Sequence, residues 1–206
     1  AAIYPNVTLF TNDNWEKITK TRYVHQKTNH TFIRIDSEPT VPRINLSKLD
    51  LRGYDIVAIS DYNKGFLTEE DIASIVGQHP NVFIDTKKML GSWAKDAKII
   101  KINNYEFERS RHLLTEDFRD KIIITRGDIG AEYNGKIYPV EKVEVKDSTG
   151  AGDSFFAGLL VGYAETGDIE TAIRFGNAAA SKVVQQKGVN IIERPSPREY
   201  EESTAS

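Results

Sequence analysis

Asp147-Ser148-Thr149-Gly150-Ala151-Gly152-Asp153 joins a β-prone run to an amphipathic segment in which Phe155, Phe156, Leu159, Leu160 and Tyr163 recur at helical spacing. Small residues between a strand and a helix let backbone N–H groups converge on an anion, and the following helix adds the positive end of its dipole. A phosphate fits there. The stretch lacks the Lys-Ser/Thr ending of a Walker loop and closes on a carboxylate, Asp153. That carboxylate is placed to take a proton from an attacking hydroxyl while the loop amides stabilise the transferring group. Taken alone, the same residues also describe an ordinary glycine turn capped by Asp153.

Working outward, β-branched and apolar runs recur upstream. Residues 54–60 (Tyr-Asp-Ile-Val-Ala-Ile-Ser) read as a strand buried on both faces, and shorter strands are predicted at 82–85, 99–102 and 122–125. Thr68-Glu69-Glu70-Asp71 opens a helix carrying Ile72, Ile75 and Val76. This alternation implies an α/β layered fold with a mainly parallel sheet. Asn134-Gly135 marks a tight hairpin, because both positions tolerate positive φ. Thr166-Gly167 closes the helix after the glycine loop, and Asp168 caps the next, which carries Ile169, Ala172, Ile173, Ala180, Val183 and Val184. Nearer the start, residues 19–36 alternate polar and apolar types about Thr28-Asn29-His30, with Tyr23, Val24, Phe32, Ile33 and Ile35 as strand formers, and so predict an antiparallel hairpin. A Pro-containing connector, 38–43, follows it. The polar tail 196–206 is expected to be mobile. With no internal repeat and no dividing linker, residues 1–206 are read as one domain.

Composition narrows the function classes. A chain of 206 residues, 39% hydrophobic and 28% charged, suffices for one globule with a substantial core. A formal charge of -3 supplies no broad attraction to nucleic acid or anionic lipid. The absence of cysteine removes disulfides, thiolate nucleophiles and Cys-based zinc sites, and fits a reducing cytoplasm. His25, His30, His79 and His112 are scattered without metal spacing and read as solvated surface residues. No apolar run approaches the roughly 20 residues of a membrane span. The chain opens on Ala1-Ala2 without a methionine, so processing, trimming or membership of a longer protein is expected.

The heptad 147–153 resembles the second signature of the ribokinase, or PfkB-type, carbohydrate kinases. That resemblance implies Asp153 as the catalytic base, Gly150, Ala151 and Gly152 as the anion hole, and Asp147 as a residue that fixes the loop or assists nucleotide and metal. Asn103 and Glu106, in Lys101-Ile102-Asn103-Asn104-Tyr105-Glu106, fit the family's Asn-x-x-Glu motif and imply a Mg²⁺ site contacted through water; their plain alternative is a polar strand-to-helix turn. Thr125-Arg126-Gly127 matches the family's segment beneath the nucleotide, while Asn177 and Ala180 match its adenine-lining helix.

Further segments narrow the likeness. Thr19-Lys20-Thr21-Arg22-Tyr23, Phe32-Ile33-Arg34-Ile35-Asp36, Ser60-Asp61-Tyr62-Asn63-Lys64-Gly65 and Ile84-Asp85-Thr86-Lys87 resemble, in order, the heptose-7-phosphate kinase domains of ADP-heptose synthases. By that comparison Arg34, Asp36, Asp61 and Lys64 lie toward the acceptor and Lys87 near the phosphates, each with a plain reading as an exposed strand or turn residue.

The resemblance implies a three-layer ribokinase-like fold with a small antiparallel β lid at 19–36. It also implies ATP and Mg²⁺ as cofactors, a sugar or sugar phosphate as acceptor, and a homodimer formed through the lid. The family's opening third, with its first acceptor Asp and Gly-Gly segment, has no counterpart before Thr19. The domain is therefore expected to be partial, and the acceptor is left open. A nucleotide-binding scaffold without turnover, and another small-molecule kinase of the same family, stand as alternatives.

Overall fold

In a computed structural model, residues 6–12, 15–25, 28, 30–37 and 41–188 are described. A two-stranded antiparallel hairpin, β1 (Lys20–Val24) with β2 (Thr31–Asp36), precedes the main body. There β3 (Val57–Asp61), α1 (Glu69–Gln78), β4 (Val82–Thr86), β5 (Ile99–Asn103), α2 (Asn104–Ser110) and β6 (Ile122–Thr125) alternate. The short strands β7 (Ala131–Tyr133) and β8 (Lys136–Tyr138) come next, then α3 (Ala151–Thr166) and α4 (Ile169–Val184). The six strands form one sheet in sequence order, parallel from β3 to β6 and antiparallel from there to β8.

Strand periodicity divides the core into two layers. Val82, Ile84, Ile100, Ile102, Ile122 and Ile124 point to one face, where Ile72, Ile75 and Val76 of α1 cover them. Phe83, Ile99 and Ile123 point to the other, under Phe155, Phe156 and Leu159 of α3 and Ala172 and Ile173 of α4. The three-layer α/β arrangement with a separate β ribbon is the expected one.

Local signals act as the sequence suggests. Thr68 and Asp71 form a capping box on α1, and Arg43 clamps Asp71 through two bonds of 2.8 and 2.9 Å. Asn134 and Gly135 take φ of 50° and 73° in the β7–β8 turn. Gly167, at φ 68°, ends α3 by donating to Tyr163 O, and the Asp168 side chain caps α4 by accepting from Thr171 N at 2.7 Å.

Two expectations are corrected. The run at 54–60 is not a strand buried on both faces: β3 lies at the sheet edge, with Ile59 and Asp61 buried but Ala58 and Ser60 exposed. Among the described residues no strand pairs with its outer edge, and the α3–α4 layer packs over β4 to β6. His79 is half-buried and not simply solvated; Asn81 N donates to its Nδ1 at 3.1 Å, and its Nε2 lies 2.8 Å from Tyr54 O as donor. Part of the 28–30 turn, part of the 38–43 connector and all of the 196–206 tail lie outside the described residues.

The helix pair α3–α4 holds the glycine loop at a fixed height above the sheet, and its closeness depends on missing side chains. A Cβ on Gly158 would meet Phe175 O at 2.6 Å, one on Gly162 would meet Ala172 Cα at 2.8 Å, and one on Gly176 would meet Phe155 O at 2.8 Å. Backbone atoms cannot yield cheaply, so Gly162→Ala is expected to cost about 2 kcal/mol in urea unfolding. Gly77→Ala, on open space in α1, should instead stabilise by ~0.5–1 kcal/mol in the same measurement.

Candidate active site

The parallel strands finish together. Asp61 stands opposite Thr86, and Asn103 opposite Thr125, so the ends of β3 to β6 form one rim at the carboxyl edge of the sheet. The N-terminus of α3 meets this rim, because a Cβ on Gly152 would lie 3.0 Å from Lys101 Nζ on β5.

The connecting loop is built to present amides. Gly150 caps α3 at φ 80°, a conformation that disfavours a side chain, and its carbonyl accepts from Ser154 N at 2.8 Å. The opening N–H groups of α3 have no acceptor within the helix, and that of Ala151 donates to Ser148 O at 3.3 Å. Asp147 braces the loop from below: Oδ1 accepts from Thr149 N at 2.9 Å and Oδ2 from Gly188 N at 3.1 Å. The Thr149 amide foremost holds the Asp147 carboxyl below its ordinary range. Asp153, exposed in the first turn of α3, accepts a 2.5 Å hydrogen bond from the Tyr62 hydroxyl.

Beneath the loop, Lys101 and Asp85 form an ion pair of 2.9 Å at 3% and 7% side-chain exposure. Asp85 Oδ1 has no hydrogen-bond partner among the described residues. Burial pushes the Asp85 carboxyl up, against the opposing pull of the Lys101 ammonium. On the next part of the rim, Glu106 Oε1 takes Lys87 Nζ at 2.5 Å while Oε2 accepts from Asn103 N at 2.8 Å, and Asn103 Oδ1 accepts from Glu106 N at 2.9 Å. Asn103 and Glu106 are thus the capping box of α2 as well as a rim carboxylate. Burial lowers the Lys87 ammonium but Glu106 outweighs it, leaving the group raised.

Residues 68–196 match the family described as pfkB family carbohydrate kinase. The chain belongs to that family. A bifunctional protein HldE from Hydrogenovibrio crunogenus is 30% identical over 190 residues, covering 79% of this chain and 40% of that protein. The chain thus spans about two fifths of the curated relatives it matches. The fold is that of the ribokinase group. A ribokinase from Thermotoga maritima superposes with a TM-score of 0.63 at 20% identity, over 87% of this chain and 67% of that one. An aminoimidazole riboside kinase from Salmonella enterica, complexed with aminoimidazole riboside and an ATP analog, gives 0.63 at 20% identity over 84% and 71%.

The other positions singled out in the sequence have differing engagements. Thr125 ends β6, and Arg126 bonds Glu132 at 2.7 Å and Asn104 at 2.5 Å before Gly127 turns the chain at φ 61°. Asn177 is buried and donates to Tyr138 O at 2.8 Å, tying α4 to β8, and Ala180 packs into the second core layer. Of the positions expected to face an acceptor, Asp61 is spent internally: Oδ1 accepts from Asn63 N, and Oδ2 takes Thr86 Oγ1 and Lys88 Nζ, each at 2.9 Å. Arg34 and Asp36 pair with each other on the hairpin, where Lys20 and Lys64 also draw the Asp36 carboxyl down, the Arg34 bond being the largest cause.

Sequence reasoning assigned no role to Lys101, Asp85 or Tyr62. A signal for the first two was present, since each interrupts an otherwise apolar strand and their positions pair across β4 and β5. Lys101→Met leaves a carboxylate buried without its partner and should cost about 3–5 kcal/mol in denaturant unfolding, whereas Lys101→Met combined with Asp85→Asn should cost clearly less.

Proposed function

We propose that this chain transfers the γ-phosphoryl group of ATP to a hydroxyl of a sugar or sugar phosphate, with the heptose-7-phosphate kinases as its nearest kind. The observation that carries the reading is Asp153, a carboxylate in the first turn of α3 with a hydroxyl already bonded to it at 2.5 Å, beside the left-handed Gly150 loop. In the reaction the acceptor oxygen attacks Pγ, its proton passes to Asp153, and the Pγ–O bond breaks with its electron pair leaving on ADP. The amides of Gly150, Ala151 and Gly152 hold the transferring oxygens, with Lys101 adding positive charge from beneath. Asp147 fixes the loop, and Lys87 meets the phosphates. Thr125, Arg126 and Gly127 border the nucleotide, whose adenine faces the helix bearing Asn177 and Ala180.

Mg²⁺ enters this reading through its waters. Among the described residues no three His, Asp or Glu side chains converge, and both Glu106 oxygens are engaged. Glu106 and Asn103 therefore fit a hydrated ion held chiefly by the phosphates, which would neutralise charge on the transferring group.

The acceptor is read as lying between Asp153 and the Tyr62, Lys20, Asp61 and Lys64 end of a cavity of about 490 Å³, whose other walls are mainly apolar, with Phe10, Leu51, Ile59 and Phe66 among them. Lys20, Lys64 and the nearby Arg34 favour an acceptor that itself carries a phosphate. A second reading, nucleotide binding without turnover, draws on the internal engagement of Asp61 and on the Arg34–Asp36 pair. Asp153→Asn should keep ATP binding by titration and cut turnover at least 100-fold on a panel of heptose, fructose and ribose phosphates. Activity near wild type would remove Asp153 as base, and ATP binding with no turnover by the wild type on any acceptor would favour the second reading.

The hairpin is read as a lid and as the contact of a cytoplasmic homodimer. Tyr23 pairs with Ile33 and Thr21 with Ile35, so one face is apolar, with Tyr23, Ile33 and Ile35 each more than half exposed. The opposite face carries the exposed Phe32 beside Lys20, Arg22, Arg34 and Asp36, with Lys20 over the Tyr62 ring. Two strands alone are marginal. Light scattering should report a dimer at micromolar concentration that Ile33→Lys converts to monomer; a monomeric wild type, or an unaffected dimer, would reject the lid contact.

A further inference from the structure

Tyr62 reaches Asp153 from the far side of the site. Its backbone is fastened to the sheet on both sides: Asp61 is locked by Thr86 and Lys88, and Asn63, at φ 56°, offers Oδ1 to Lys88 Nζ at 2.8 Å. The turn therefore aims the phenol without help from α3. The ring lies beneath Lys20 Nζ at 4.6 Å from its centroid, under the hairpin, and forms a wall of the 490 Å³ cavity. Its hydroxyl donates to Asp153 Oδ1, where the proposed reaction would put the acceptor hydroxyl. Burial, and next the Asp153 bond, push the phenol well above the ordinary tyrosine range, so it remains a protonated donor.

We infer that Tyr62 shields the base: without acceptor its hydroxyl occupies Asp153 Oδ1, so that a water cannot take the acceptor-hydroxyl position on that oxygen, and an incoming acceptor displaces it. This rests on the phosphotransfer reading above. Unshielded, a water oxygen would attack Pγ, its proton would pass to Asp153, and the Pγ–O bond would break to give ADP and inorganic phosphate. Tyr62 is thus a positioning residue that sets the balance between transfer and wasteful hydrolysis.

The test is Tyr62→Phe in the full chain with MgATP alone, beside turnover on whichever sugar phosphate the panel identifies. The expected result is an increase of about tenfold in acceptor-independent ADP release. Added Asp153→Asn should abolish the gain. A loss of packing could not produce a gain that depends on Asp153. Unchanged hydrolysis, joint loss of hydrolysis and transfer, or phosphate found on Tyr62 by mass spectrometry would each overturn the shield while leaving phosphotransfer intact. Failure of the wild type to bind ATP would overturn the phosphotransfer reading and the shield together.

Discussion

The pair Lys101–Asp85 sets the terms for the rest of the site. Two opposite charges stand in register on neighbouring central strands, nearly out of contact with water, where their mutual attraction, with Lys87 adding to it at Asp85, offsets desolvation. Such a pair is a poor way to gain stability and a good way to place a charge. Lys101 comes so close to Gly152 that a side chain there would press on its ammonium, which lies against the start of α3. Near that point stand Glu106 and Lys87, Asp153, and Tyr62 of the Asp61 turn.

This arrangement follows from the parallel sheet. Strands that run the same way end on one rim, so the irregular backbone needed for chemistry gathers there and the opposite edge is left to structure. The two cores hold the rim from both faces, and the α3–α4 contact, closed through Gly158, Gly162 and Gly176, prevents the loop from riding up.

Much of this was legible in the sequence because it is local. Strand runs, the capping box at Thr68, the Asn134-Gly135 turn and the glycine loop each depend on residues a few positions apart, and each forms where expected. What was not legible is long-range. Tyr62 meets Asp153 across 91 positions, a separation over which no periodicity acts. The burial of β3 was overestimated for a related reason: an apolar run states what a strand tolerates, whereas its exposure depends on which neighbours arrive. Asn103 and Glu106 show a third case, in which the capping and functional readings describe the same bonds and spacing cannot separate them.

The brace at Asp147 has a mechanical consequence. One carboxylate joins the amide of Thr149, inside the glycine loop, to the amide of Gly188, just past the end of α4. The backbone N–H groups of Lys146 and Asp147 are also tied to Val184 O. Tension applied to the chain after Gly188 is therefore carried straight into the loop, with only one side chain as the spring. A pull on Gly188 would therefore act on the orientation of the loop amides before it disturbed either core, which couples the end of α4 to a site some 35 residues earlier in the chain.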